Sequence, residues 1–205
     1  MRLLLATRNA HKLVEIRLAL DGVLVNGQGL DIDNLDGVDG LPDELPETGS
    51  TFEDNALQKA RFVYEATGTA VLADDSGIEV RALDWAPGIH SKRWTAQATD
   101  ESNNNRLLNE LHGKGDRAAR YRCALAVVAP GPAGPVEGVV VGEVTGNIGE
   151  SPRGEGGFGY DPLFWPDERP GQTMAELTME DKNSISHRGR ALAELPRLLR
   201  RLGLV

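Results

Sequence analysis

Short apolar runs along the chain alternate with segments in which apolar residues recur every three or four positions. The runs predict buried β-strands, and the spaced positions predict amphipathic helices. The predicted strands are residues 2–6, 70–73, 78–83, 120–129 and 136–144, and the predicted helices are residues 10–20, 51–67, 99–112 and 187–202. Because strands and helices are interleaved, the pattern predicts one α/β domain over residues 1–205, with a mixed sheet and a cleft.

The second predicted helix has the clearest end signals. Thr51 is placed to cap it, Asp54 follows three positions later like the acid of a capping box, and Gly68 ends it. Residues 31–50, just before it, are rich in proline and carboxylates and are typical of a solvated acidic loop. Pro196 is expected to bend the last helix.

The composition of the chain argues against several classes of function. The 205 residues include 22 basic and 31 acidic side chains, for a formal net charge of −9. Proteins that bind DNA or RNA non-specifically neutralise phosphates with clustered lysine and arginine, so this balance argues against a nucleic-acid partner. Cys123 is the only cysteine, which excludes an internal disulfide, and no apolar run approaches the roughly 20 residues of a membrane helix. We therefore expect a cytoplasmic protein with no membrane partner.

Residues 7–12 place a polar turn between a predicted strand and a predicted helix. The side chains of Thr7 and Asn9, the backbone N–H groups of the helix start and Lys12 converge near one point, which suits an anion such as a phosphate. The alternative fits the spacing equally well. In it, Thr7 or Asn9 caps the helix and Lys12 is a surface lysine.

Asp74 and Asp75 follow an apolar run and precede Ser76 and Gly77. Neighbouring side chains on a strand point to opposite faces, so we expect one carboxylate to face a cleft and the other to anchor the loop. Carboxylates are usual ligands of Mg²⁺, which also binds substrate phosphates. Glu47 is a candidate second acid. A simple turn closed by Ser76 and Gly77 is the alternative.

The glycine-rich segment 156–162 carries Phe158, Tyr160 and Asp161. Glycines permit the close approach of a ligand, an aromatic ring can stack on a base, and a carboxylate can accept from ring N–H groups. A bulged turn with both rings in the core is the alternative.

A cationic group lies near the start of the last predicted helix. Its members are Lys182, His187 and Arg188. A histidine alone is more often structural than functional, but three cations near a helix N-terminus suit an anion or a carbonyl oxygen.

These segments, in their order along the chain, resemble the family of Ham1-like inosine triphosphate pyrophosphatases. The matching blocks are residues 5–12, 47–49, 51–52, 55–56, 73–77, 86–88, 156–162, 175–178 with Lys182, and 185–189. One block alone would be weak, but several in the family's order are highly specific. The chain departs from the family pattern at Arg8, where many members carry glycine, and at residues 83–86, where many have a Gly-Gly pair.

The resemblance implies a mixed, elongated central sheet flanked by helices, with two lobes and a substrate cleft between them. The implied reaction is hydrolysis of ITP, dITP and XTP at the α–β phosphoanhydride bond, which yields a monophosphate and pyrophosphate and removes altered purines from the nucleotide pool. Mg²⁺ is the implied cofactor and a homodimer the implied assembly.

The resemblance also assigns roles to residues. Glu47 and Asp75 would hold Mg²⁺, Asp75 would activate the attacking water, and Asp74 is a further candidate ligand. Phe158 would stack on the base, and the edge of the base would be read by Asp161, Lys182, His187 and Arg188. The implied substrate-binding residues are Thr7, Arg8, Asn9, Ala10, His11, Lys12, Ser76, Phe158, Gly159, Tyr160, Asp161, Lys182, His187 and Arg188.

Two other functions compete with this interpretation. A pyrophosphatase for methylated pyrimidine triphosphates is disfavoured by the blocks around Phe158 and His187. A nucleotide-binding regulator without turnover is disfavoured by the presence of Lys12, Asp74, Asp75 and Lys182. Binding of ITP without pyrophosphate release would support it.

Overall fold

A computed structural model describes residues 1–25, 27–36 and 38–205, with Gln28 described in its backbone only. The strands are β1 (Arg2–Leu5), β2 (Leu24–Val25), β3 (Gln28–Gly29), β4 (Asp31–Asp33), β5 (Val71–Val80), β6 (Ala118–Gly131), β7 (Gly134–Ile148) and β8 (Phe164–Pro166). The α-helices are α1 (Ala10–Leu20), α2 (Phe52–Thr67), α3 (Asp100–Glu110), α4 (Met179–Ile185) and α5 (His187–Arg201). Short 3-10 helices occupy Arg81–Leu83, Gly88–Arg93 and Met174–Glu176.

Six of the strands form one mixed sheet in the order β4-β1-β5-β6-β7-β8. Strand β1 pairs in parallel with both β4 and β5, whereas β7 and β8 are antiparallel. The short strands β2 and β3 pair separately. The predicted mixed α/β fold is confirmed.

The chain divides into two compact units. The first comprises residues 1–75, 123–142 and 188–205, and the second comprises residues 76–122 and 143–187. Each has its own apolar core: Leu3, Leu5, Ile16, Leu72 and Leu125 are buried in the first, and Ile78, Leu107, Leu163 and Phe164 in the second. The expectation of a single domain with a cleft stays a prediction.

The predicted helices lie where the sequence pattern placed them. Helix α2 begins after Thr51, whose hydroxyl accepts a hydrogen bond from the backbone of Asp54 at 3.0 Å, and ends at Gly68 with φ 65°. The apolar stripe of α2, which comprises Phe52, Ala56, Ala60 and Val63, is buried. Pro196 lies inside α5. No helix in the described part of the chain is long and apolar enough to cross a bilayer.

Three expectations about strands were wrong. Residues 71–80 form the single strand β5 and residues 81–83 a 3-10 helix, so Asp74 and Asp75 lie within a strand instead of at its exit. Strands β6 and β7 are longer than predicted and only Pro132 and Ala133 join them. The acidic segment 31–50 begins with the parallel strand β4; Gly37 within it lies outside the described residues.

Candidate active site

The turn before α1 is arranged by Asn9. The Asn9 Oδ1 atom accepts hydrogen bonds from the backbone N–H groups of His11 at 2.9 Å and Lys12 at 3.3 Å, and Thr7 Oγ1 accepts from Asn9 N at 3.1 Å. Asn9 is therefore the N-cap of α1, as the structural alternative predicted. Arg8, Ala10 and His11 are exposed.

Asp74 lies between two cations in the first unit. Its side chain is fully buried, and its carboxylate contacts Lys12 Nζ at 3.0 Å and Arg188 Nη2 at 3.1 Å. Arg188 also pairs with the buried carboxylate of Glu15. The structure thus places Lys12 beside an acid, and places Arg188 with Asp74 and Glu15.

These contacts determine the protonation states of Asp74 and of the neighbouring Cys123. Burial alone would raise the pKa of Asp74, but Lys12, Arg188 and Lys59 outweigh it and hold that pKa well below the usual range. The Cys123 thiol lies 4.0 Å from Asp74 Oδ2, and burial followed by the Asp74 charge raises its pKa to about 12. Asp74 is ionised and Cys123 is neutral at physiological pH.

Asp75 has a different set of partners from Asp74, as expected for neighbours on a strand. Its Oδ1 atom accepts from Lys59 Nζ at 3.0 Å and its Oδ2 atom accepts from Asn55 Nδ2 at 3.1 Å. Lys59 Nζ also donates to Glu47 Oε1 at 2.7 Å. One ammonium group therefore contacts both carboxylates that the sequence predicted as metal ligands.

The protonation of this group follows from its burial. Burial raises the pKa of Asp75, and Glu47 adds to that effect, although Lys59 and Lys12 oppose it. Burial would lower the pKa of Lys59, but the neighbouring carboxylates, led by Asp75, raise it. Lys59 is therefore a fixed positive charge, and Asp75 is a stronger base than an exposed aspartate.

Helix α2 also fixes the segment that carries Glu47. Asn55 Oδ1 accepts from Gly49 N at 2.8 Å, and Gln58 exchanges two hydrogen bonds of 2.8 Å with Thr48. A Cβ atom at Gly49 would lie 2.5 Å from Asp54 Cβ, so glycine is needed for this close approach. Helix α2 therefore positions the segment that carries Glu47 and, through Asn55 and Lys59, also contacts Asp75.

The second unit contains a buried ion pair beside an aromatic ring. Lys182 Nζ donates to Asp161 Oδ2 at 2.8 Å and lies 4.9 Å from the centroid of the Phe158 ring. Asp161 Oδ2 also accepts from Phe158 N at 2.9 Å. Phe158 is half-buried, with its backbone N–H bound to Asp161 and Lys182 lying over the face of its ring.

Helix α3 holds the next residue of this loop. Gly159 N donates to Asp100 Oδ2 at 2.6 Å, and Asn104 Nδ2 donates to Gly159 O at 3.0 Å. The Tyr160 hydroxyl donates to Ser91 O at 2.9 Å and its ring is buried, so this ring belongs to the core. The alternative of two aromatic rings in the core therefore fits Tyr160 but not Phe158.

His187 is buried and stacks on Tyr121, with ring centroids 4.7 Å apart and an interplanar angle of 8°. Of the cationic group predicted near the last helix, Lys182 and His187 lie in the second unit, whereas Arg188 lies in the first. Ser76 is half-buried in β5, within the second unit.

Sequence reasoning missed three buried residues: Glu15, Lys59 and Tyr121. A signal for Lys59 was present, since it falls on the apolar stripe of α2 between Ala56 and Val63. A lysine on the buried face of a helix is rarely left without an acidic partner. Tyr121 alternates with Cys123 along β6, which also indicates burial.

Comparisons with known proteins show the family to which this chain belongs. The Ham1 family model matches residues 3–198. A dITP/XTP pyrophosphatase from Geobacter sulfurreducens is 48% identical over 199 residues, covering 95% of this chain and 94% of that one. One from Bacillus subtilis is 44% identical, covering 96% of each chain. The solved structure of a HAM1 protein from Coxiella burnetii superposes with a TM-score of 0.84 at 36% identity, covering 98% of this chain and 99% of that one. The resemblance inferred from the sequence is confirmed, and the chain belongs to the Ham1 family.

Proposed function

We propose that this protein is a nucleoside triphosphate pyrophosphatase that hydrolyses dITP, ITP and XTP. Water attacks the triphosphate, the α–β phosphoanhydride bond breaks, and the products are a nucleoside monophosphate and pyrophosphate. The relatives are named dITP/XTP pyrophosphatases, which supports this activity. The observation that carries the proposal is the pair of carboxylates, Glu47 and Asp75, held by the buried Lys59.

The residues around Asp75 fit a divalent metal ion. Ionised side chains of both signs cluster here. The carboxylates are those of Glu15, Glu47, Asp74 and Asp75, and the cations are Lys12, Lys59 and Arg188. With four negative and three positive groups, these side chains carry one excess negative charge. The described residues contain no group of three or more histidine, cysteine or acidic side chains that would hold an ion alone. This donor set suits Mg²⁺, which binds through one or two carboxylates together with waters and substrate phosphates.

Glu47 and Asp75 would therefore hold Mg²⁺. When bound, the ion supplies positive charge that stabilises the phosphate oxygens. Asp75 orients the attacking water and accepts its proton, a role favoured by its raised pKa. Lys59 and Asn55 each hold one oxygen of this carboxylate, so its plane is fixed before substrate arrives.

Lys12 binds the triphosphate. An ammonium group has three N–H donors, so the contact with Asp74 leaves donors for phosphate oxygens. Asp74 fixes the position of Lys12, and Arg188 in turn neutralises Asp74. Thr7, Arg8, Ala10 and His11 are proposed to contact the phosphates together with Asn9, the cap of the helix.

The second unit recognises the base. Phe158 stacks on the purine, and Lys182 and His187 donate to its 6-oxo group. Adenine carries an amino donor at that position, so two donors would face each other, and such a polar mismatch costs about 1–3 kcal/mol or more. Asp161 holds Lys182 in place for this contact.

The test is release of pyrophosphate from dITP, XTP, ATP and GTP, with Mg²⁺ and with EDTA. We expect rapid release from dITP and XTP with Mg²⁺, slow release from ATP, and none in EDTA. Binding of ITP without pyrophosphate release would instead support a regulator. Light scattering of the purified chain would test the proposed homodimer; the cytoplasmic location stays a prediction.

A further inference from the structure

Tyr121 lies on β6 in the core of the second unit, with 6% of its surface exposed. One face of its ring stacks on the His187 imidazole at 4.7 Å. Phe164 meets it in a T-shaped contact at 4.8 Å and 61°. Because the two rings of the stack are nearly parallel, Tyr121 sets the plane of the imidazole.

The hydroxyl of Tyr121 has a second set of contacts. It lies beside the Asp161 carboxylate and the backbone of Tyr160. Burial, and then the Asp161 charge, raise the pKa of Tyr121 well above its usual range, so the phenol stays protonated beside the carboxylate. Asp161 in turn binds Lys182 at 2.8 Å and the backbone of Phe158 at 2.9 Å.

Tyr121 is thus the common contact of two groups that are otherwise separate in the sequence. Its ring touches His187, and its hydroxyl touches the carboxylate that holds Lys182 and Phe158. A single rigid side chain with two χ angles therefore couples the imidazole plane to the position of the ammonium group.

We propose that Tyr121 is a positioning residue for purine selectivity, which fixes His187 through its ring and Asp161 through its hydroxyl. The proposal rests on the proposed function, because it assumes that His187 and Lys182 donate to the 6-oxo group. Tyr121 itself does not touch the substrate. Its effect is to keep both donors aimed at one acceptor, so that a 6-amino purine is rejected.

The test uses two variants at this position and equilibrium binding of IMP and AMP. These monophosphates cannot release pyrophosphate, so their binding does not depend on turnover. Tyr121→Phe keeps the ring and removes the hydroxyl, and we expect the preference for IMP to fall about 2- to 10-fold, the effect of one hydrogen bond. Tyr121→Leu removes both contacts, and we expect a further fall of about 2- to 10-fold, the effect of one aromatic pair.

Leu107→Ala is the control, because it truncates a fully buried side chain of the same core, on helix α3. It should lower the unfolding midpoint and leave the IMP preference unchanged. If Tyr121→Leu fails to fold, Tyr121→Phe still decides the role of the hydroxyl. A wild-type IMP preference in Tyr121→Phe and in any folded Tyr121→Leu would overturn the proposal.

NMR spectra of the four histidines give a readout independent of affinity. The ring protons of His187 should show an upfield ring-current shift that Tyr121→Phe retains and Tyr121→Leu loses. A wild-type protein that prefers IMP but releases no pyrophosphate would refute the proposed function and leave this inference intact. A wild-type protein without that preference would overturn the inference even if it releases pyrophosphate.

Discussion

The two units both bury ionised side chains, but they neutralise them differently. In the first unit, carboxylates and cations alternate: Asp74 contacts Lys12 and Arg188, and Lys59 contacts both Glu47 and Asp75. In the second unit, the buried pair of Asp161 and Lys182 lies beside the Phe158 ring.

This difference indicates two kinds of ligand. A dense set of charges with an excess of carboxylate suits a metal ion and phosphate groups, whose own charges complete the balance. An ion pair beside an aromatic face suits a flat, polar base, which stacks on the ring and meets the polar groups at its edge. We therefore propose that residues of the first unit determine the rate of hydrolysis and that residues of the second unit determine which purine base is accepted.

The largest expected effect is that of Asp75→Asn, which removes a charge at nearly constant volume. The kcat for pyrophosphate release from dITP should fall about 10²- to 10⁴-fold, because the general base is lost. Asp84→Asn makes the same change at an exposed carboxylate and should retain the wild-type kcat. A wild-type kcat in Asp75→Asn would contradict the assignment of Asp75 as the general base.

Arg188→Met should reduce stability by about 3–5 kcal/mol, because it leaves Asp74 and Glu15 buried with fewer cations. Urea unfolding measures the change. Arg61→Met breaks an exposed pair with Glu137 and should cost only about 0–1 kcal/mol. Equal losses in the two variants would contradict a structural role for the buried pairs.

The same cluster predicts a dependence of stability on pH. The pKa of folded Asp74 lies below its ordinary value of 3.8, so this carboxylate binds fewer protons in the folded state. Its contribution is present above that ordinary value and is lost as the pH falls toward the folded-state pKa. Urea midpoints measured from neutral to acidic pH in EDTA should decline in this range; a flat profile would contradict the assignment.

Lys12→Ala should raise the KM for dITP about 10- to 100-fold, the effect of losing a charge-assisted hydrogen bond to phosphate. The kinetics of ITP and ATP should change by the same factor, since both carry the same triphosphate. Lys114→Ala, at an exposed lysine, is the control. An unchanged KM in Lys12→Ala would mean that Lys12 serves only to pair with Asp74.

The smallest change in rate, but the largest in selectivity, is expected for His187→Ala. The ratio of kcat/KM for ITP to that for ATP should fall about 5- to 100-fold, because one donor to the 6-oxo group is lost. His112→Ala removes an exposed histidine of the same unit and should leave the ratio unchanged. If His187→Ala lowered kcat/KM for ITP and for ATP by the same factor, the proposed role of His187 in reading the base would be wrong.

Local signals predicted much of the fold and part of the candidate site. Asn9, Thr51 and Thr99 cap helices that begin where the sequence pattern placed them. The pattern around Asp74 and Asp75 was misleading, because two carboxylates normally end a buried strand. Here β5 continues through them, since each carboxylate has a cationic partner from a segment distant in sequence.

The partners themselves depend on tertiary contacts. Arg188 and Glu15 are 173 positions apart, and nothing local to either residue specifies the other. His187, next to Arg188 in the sequence, belongs to the other unit, and a shared role of the two side chains in reading the base stays a prediction. Tyr121 was missed for the same reason, because its role comes from His187 and Asp161 and not from its own neighbours in β6.

The most direct test of this division of labour is the affinity for inorganic tripolyphosphate, a ligand that has no base. Competition against dITP hydrolysis gives its inhibition constant for the wild-type protein and for the Lys12→Ala and His187→Ala variants. The account predicts that Lys12→Ala weakens inhibition about 10-fold or more, while His187→Ala leaves it unchanged. Equal weakening in both variants would contradict the separation of phosphate binding from base recognition.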